Sequence, residues 1–92
     1  MSGSITRDLS IINVKGLHAR ASAKFVDVVE RFNAQVLVEK DGLSVSGDSI
    51  MGLLMLTAPR GSQIRITASG PQAVELADAL ESLVGDYFGE GM

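Results

Sequence analysis

The chain has 92 residues, 46% of them hydrophobic and 21% charged, with a net charge of −3; this balance fits one folded domain, 1–92, with one modest core rather than a disordered chain. The negative charge, with no run of Lys or Arg, argues against a nucleic-acid partner. No cysteine and a single histidine exclude disulfides and thiolate metal sites and leave no ordinary zinc ligand set, so neither metal nor cofactor is expected.

Residues 1–4 read as a loose start, without the apolar run of a signal peptide, and no apolar stretch reaches membrane-spanning length. A cytoplasmic protein, not inserted in a membrane, is expected. From about Thr6 to Asn13, Leu9 and Ile11 alternate with Asp8 and Ser10, the pattern of a half-buried strand. Lys15-Gly16-Leu17-His18-Ala19-Arg20-Ala21-Ser22 follows, with Gly16 able to make a sharp turn into a helix. Ala21, Phe25, Val28, Val29 and Phe32 then recur at helical spacing, and this helix is expected to end near Phe32-Asn33, with Asn33 as a left-handed cap.

His18 thus falls at, or just before, the first helical residue. Backbone amides there have no intrahelical partner, and they and the helix dipole favour an anion. Arg20 adds a permanently charged fork suited to phosphate oxygens. An imidazole, the amides of Ala19, Arg20 and Ala21, and a guanidinium about one point suit a transferable phosphoryl group. On spacing alone the plainer reading stands beside this one, since a lone histidine at a helix start is often a surface or capping residue.

Val36 and Val38 alternate with Gln35, Leu37 and Glu39 in a second strand; Asp41-Gly42 signals a hairpin, and Leu43 to Ser46 make a third. Ser49 is a good N-cap for a short helix, with Asp48 beside it. Ile50, Met51, Leu53, Leu54, Met55 and Leu56 leave that helix almost no polar face. Two readings are open: a buried segment with methionine as filler, or a partly exposed apolar docking surface. Pro59-Arg60-Gly61-Ser62 is a turn, and Ile64, Ile66 and Ala68 alternate in a fourth strand. Pro71 fits the first turn of a last helix whose apolar stripe is Val74, Ala77, Leu80, Val84 and Tyr87, beside Leu76 and Leu83. Gly89-Glu90-Gly91-Met92 is expected to fray. The order β-α-β-β-α-β-α predicts an α+β fold with one mostly antiparallel sheet and helices on one face.

Gly16-Leu17-His18-Ala19-Arg20, continuing through Ala23 to Phe25-Val26, resembles the active-site motif of the HPr family of histidine-containing phosphocarriers of the bacterial phosphotransferase system. Ser49-Ile50-Met51 through Leu56 is similar to the start of the family's second helix, and the likeness covers nearly the whole chain. Leu54-Met55-Leu56, Gly61-Ser62-Gln63-Ile64 and Ala68 to Gln72 look most like the nitrogen-branch paralogues, NPr. The resemblance implies an open-faced β-sandwich: four antiparallel strands with three helices on one side. It implies that His18 accepts a phosphoryl group from phospho-enzyme I and passes it to an enzyme IIA-type acceptor, with Arg20 stabilising the phosphate. Leu17, Lys24, Ile50, Met51, Leu54 and Met55 would form the docking surface, and Ser49 would be a regulatory target of an HPr kinase/phosphorylase. A monomer without turnover of its own is expected.

Two departures from the family pattern are plain. Ala21 stands where proline is usual, adding an N–H to the first turn, and Asp27 and Glu30 stand where many relatives carry lysines. Two other functions compete: a regulatory binding module acting through Ile50–Met55 with a Ser49 switch, and a small enzyme using His18 as general base. The intact His18 and Arg20 disfavour the first. The lack of a second catalytic partner at recognisable spacing disfavours the other.

Overall fold

The alternation in the strands does most to set the architecture. In the computed structural model, which describes residues 3–92, Val36 and Val38, and Ile64, Ile66 and Ala68, all turn their side chains to one buried face while their neighbours face out. The elements are β1 (Ser4–Ser10), α1 (Ala19–Val29), β2 (Gln35–Lys40), β3 (Leu43–Ser46), α2 (Ile50–Met55), β4 (Gln63–Ser69) and α3 (Ala73–Gly85), then a 3₁₀ turn at Tyr87–Gly89. The strands form one antiparallel sheet in the order β1-β4-β2-β3. The registers Val38↔Ile66, Val36↔Ala68 and Leu9↔Ile64 bring the buried residues of three strands together. Phe25 and Val29 of α1, Leu53 of α2, and Leu76, Leu80 and Val84 of α3 close over them. This is the expected α+β open-faced sandwich. No helix is long and apolar enough to cross a membrane.

Several boundaries differ from those read in the sequence, each for a tertiary reason. Met1 and Ser2 of the loose start lie outside the described residues, and Ser4 already belongs to β1 because Ser69 of β4 pairs with it. The strand ends at Ser10, although Ile11 still exchanges backbone bonds with Gly61 and Ser62 of the turn before β4. The first helix stops at Val29, where Arg31 and Phe32 bond three residues back and tighten the last turn. Phe32 still packs against the core, which is why its helical spacing extends past the helix itself. Asn33 is not a left-handed cap; its amide and carbonyl are both bonded to Gln72. Asp41 and Gly42 carry φ of 51° and 83°, the paired positive values of a tight hairpin turn.

The last helix departs most. Gln72 is its N-cap, so Pro71 precedes the helix rather than opening it. The buried stripe is Ala73, Leu76, Ala77, Leu80 and Val84, and Val74 is exposed. Small alanines let the helix approach the sheet, and Val74, one position on, faces away. Tyr87 lies beyond the helix and is partly exposed, because Tyr87 and Phe88 turn the chain back with φ of 56° and 53°. Phe88 enters the core completely. The final segment, expected to fray, is therefore folded onto the body through Phe88, while Gly91 and Met92 stay exposed.

One contact fixes the turn between β1 and α1. Gly16 has φ of 66°, and a Cβ there would lie 2.6 Å from the Ala58 carbonyl oxygen and 2.8 Å from Pro59 Cα. Gly16→Ala should combine backbone strain with overpacking against backbone that cannot yield, and lower stability by roughly 2–4 kcal/mol. Denaturant unfolding compared with the wild type measures it.

Candidate functional site

The close approach at Gly16 lets the Leu17 amide donate to the Ala58 carbonyl at 2.9 Å, tying the turn to the loop after α2. Leu17 is buried by this arrangement and anchors the turn. It is consequently part of the core and not of an exposed docking surface. His18 follows in extended conformation as the N-cap residue of α1. The Ser22 amide is the first to bond within the helix, donating to the His18 carbonyl at 2.8 Å. Ala19, Arg20 and Ala21, the first three residues of the helix, precede it, so their amides belong to the donor set at the helix start. Ala21 itself is fully buried, while Arg20 is exposed and forms no ion pair among the described residues.

The His18 ring is held from the side by a residue that the sequence placed in a fraying tail. Nε2 contacts the Glu90 carboxylate, and Glu90 is in turn bonded through Oε1 to Asn13 Nδ2 at 2.9 Å. Asn13 is fully buried and donates also to the Gly16 carbonyl at 2.8 Å, so its amide group is oriented by two acceptors. Its Oδ1 has no partner. The tail is secured further by Lys24 Nζ, which donates to the Phe88 carbonyl at 2.6 Å, and by the Val14 amide on the Met92 carbonyl. Lys24, expected on the docking surface, is half-buried and engaged with its own chain.

His18 borders a shallow groove with Lys15, Leu17, Thr57, Ala58 and Pro59. A second groove gathers Lys15, Arg20, Lys24 and Glu90. Three cations and one carboxylate thus surround the helix start. Among the described residues no group of three His, Asp or Glu side chains could hold a metal ion.

The short second helix answers the choice left open for its apolar residues by dividing them. Leu53 and, just after it, Leu56 are buried, Leu54 is half-buried, and Ile50, Met51 and Met55 are exposed. Met51 and Met55, 69% and 64% exposed, share one face at i and i+4. The loop that leaves this helix is the one against which the His18 turn rests. Ser49 caps it as expected, its Oγ accepting from the Gly52 amide at 3.0 Å. Asp48 instead accepts from Ser46 Oγ at 2.6 Å.

A family model described as "PTS HPr component phosphorylation site" matches residues 5–86. The chain belongs to the HPr family. Its members are phosphocarriers of the phosphotransferase system. It is 45% identical over 87 residues to phosphocarrier protein HPr of Cupriavidus necator, covering 95% of this chain and 98% of that one. To phosphocarrier protein NPr of Klebsiella oxytoca it is 35% identical over 88 residues, covering 95% and 98%. A crystal structure of HPr from Thermoanaerobacter tengcongensis superposes with a TM-score of 0.91 at 36% identity, covering 96% and 99% of the two chains.

Two residues of this HPr-family site escaped the sequence, Asn13 and Glu90. They stand 77 positions apart, and Glu90 is 72 from His18. No spacing rule links them. The one available signal was a polar residue, Asn13, at an inward position of the strand alternation.

The Asn13 hydrogen bond, and after it the His18 contact, hold the Glu90 carboxyl below its ordinary value of 4.5, against the opposing effect of burial. A lowered carboxyl pKa means that the folded form prefers the ionised group. Its contribution to stability is complete above 4.5 and is lost as pH falls through the lower folded value. The wild type should accordingly exceed Glu90→Gln in stability by a constant margin at neutral pH, and the margin should vanish toward strongly acid pH. Urea unfolding of both proteins across that range checks the sign.

Proposed function

We propose that this chain, as one phosphocarrier domain spanning 1–92, carries a phosphoryl group on His18, receives it from phospho-enzyme I and passes it to an enzyme IIA-type acceptor. The observation that carries this reading is the position of His18 as the N-cap of α1, ahead of three amides outside the helical ladder and beside Arg20. Amides and helix dipole each contribute about 0.3–2 kcal/mol to an anion so placed, enough to form a phosphohistidine without trapping it. Arg20 stays protonated and acts as a charge stabiliser, not a proton donor. Buried Ala21 in place of the usual proline leaves its N–H available to the phosphate. The chain works as a cytoplasmic monomer that is turned over by its partners.

Donor and acceptor must meet the same surface, because the phosphoryl group enters and leaves at one ring. Exposed Ile50, Met51 and Met55, with the rim of Leu54, supply its apolar part. Ser49 stands at the edge of that patch, and phosphorylation there by an HPr kinase/phosphorylase would add negative charge to the docking face. For the branch, Leu54-Met55-Leu56 and Ala68 to Gln72 support the nitrogen-regulatory acceptor. The higher identity to proteins named HPr, 45% against 35%, supports the sugar-transport one. Competition between the two IIA classes for the phosphorylated protein separates them.

His18→Ala should remove all transfer from phospho-enzyme I and leave the fold intact. Intact-mass analysis after incubation with phosphoenolpyruvate and enzyme I reads the adduct, and an unchanged acid-labile adduct in the variant would refute the assignment. Met51→Glu should leave stability within about 0.5 kcal/mol, as surface changes do. It should slow transfer, because a charge would be desolvated in an apolar interface. Strong destabilisation, or normal transfer with normal stability, would remove Met51 from the docking surface.

A further inference from the structure

We propose that Met51 and Met55 form a modification site: a peroxide oxidises their thioethers to sulfoxides, and the carrier then meets its partners poorly while its fold is unchanged. The proposal rests on the reading of the α2 face as a docking surface and adds a chemistry by which that face is regulated.

The short helix sorts its apolar residues by type. Leu53 and the following Leu56 are buried, Leu54 is half-buried, and the two methionines are exposed on one face at i and i+4. Methionine in a small domain is commonly a flexible filler of core gaps. No described methionine is used in that way here. Met51, Met55 and Met92 are all exposed, and the buried apolar positions hold leucine, isoleucine, valine, phenylalanine and alanine. Leucine would give an apolar docking face much the same area. What the thioether adds is a sulfur lone pair that a peroxide can reach. The chain has no cysteine, so no thiolate of its own competes for the oxidant.

The step balances with hydrogen peroxide as the oxidant. A sulfur lone pair attacks one peroxide oxygen and an S–O bond forms. The O–O bond breaks with its electron pair leaving on the second oxygen, which takes the proton from the first and departs as water. Sulfur is oxidised and the peroxide reduced by one electron pair.

Placement decides what the added oxygen does. In a core it would bury a polar atom and disturb the packing. On α2 the helix is held by the Ser49 cap on the Gly52 amide and by buried Leu53 and Leu56, none of which uses the two thioethers. In the free protein the sulfoxide oxygens therefore stay in water. They lose that water only when a partner covers the face without a matching donor, and the cost falls on docking. Neither methionine lines the grooves beside His18 and Arg20, so the residues that would hold the phosphoryl group are unaltered. Met92 borders one of those grooves and serves as the internal comparison.

The test treats full-length wild type with limited hydrogen peroxide, removes the oxidant with catalase, and only then adds phosphoenolpyruvate and enzyme I. Peptide mapping should locate added oxygen at Met51 and Met55. The kcat/KM for transfer from phospho-enzyme I should fall about tenfold, in KM rather than kcat, as for an unpaired polar group buried in an interface. Urea unfolding should be unchanged, and repair with methionine sulfoxide reductases should restore the rate. A Met51→Leu/Met55→Leu protein, compared with its own untreated sample, should lose nothing on oxidation although it keeps Met1 and Met92. The oxidation site is overturned by an oxidised wild type that transfers at the untreated rate, loses stability or is not restored by repair. A double variant as sensitive as the wild type overturns it too. If Met51→Glu is nonetheless slow, the docking reading stands without this proposal; if Met51→Glu also transfers normally, both fall.

Discussion

The contact of bare Gly16 backbone with the Ala58–Pro59 backbone is the constraint from which the rest of the site follows. It allows the Leu17 amide to reach the Ala58 carbonyl, buries Leu17, and aims the chain so that His18 begins α1 in extended conformation. No side chain could occupy that space. The same turn presents the Gly16 carbonyl to Asn13, and Asn13 carries the constraint on to Glu90 and the end of the chain. One backbone-to-backbone approach thereby couples the β1 exit, the α2–β4 loop and the final residues around a single imidazole.

The charges at this node are mixed. Helix-start amides with Arg20, Lys15 and Lys24 favour an anion, whereas Glu90 opposes one on its own side of the ring. A site of cations alone would hold phosphate more tightly and surrender it less easily. The exposed face of α2, with Met51 and Met55, lies on the chain that leads into the same loop, so the exposed methionines and the His18 ring are joined through Thr57–Pro59.

Local pattern carried far in this chain. Period-two alternation in β2 and β4, the Asp41-Gly42 hairpin and the Ser49 cap each depend on neighbours within a few residues, and each appears as read; the helix after His18 forms too, but ends at Val29. The motif from Gly16 to Arg20 likewise marked its histidine, because the strand–turn–helix geometry that exposes a ring at a helix start is itself local. Leu17, expected on the docking surface, is buried, and Lys24 is half-buried, for the opposite reason. Their contacts are with Ala58 and Phe88, distant in the chain.

The sequence by itself determined the order of strands and helices, the inward residues of β1, β2 and β4, and the family motif around His18. Those are consequences of side-chain periodicity and of what a glycine, a cap or an unpaired amide can do locally. Only the tertiary structure decided that α3 faces the sheet with Ala73 rather than Val74, that the chain turns back at Tyr87 and Phe88, and that Glu90 meets His18. These depend on how closely packed surfaces can approach and on which buried polar atoms must find partners, and a residue's identity does not disclose a neighbour 72 positions away.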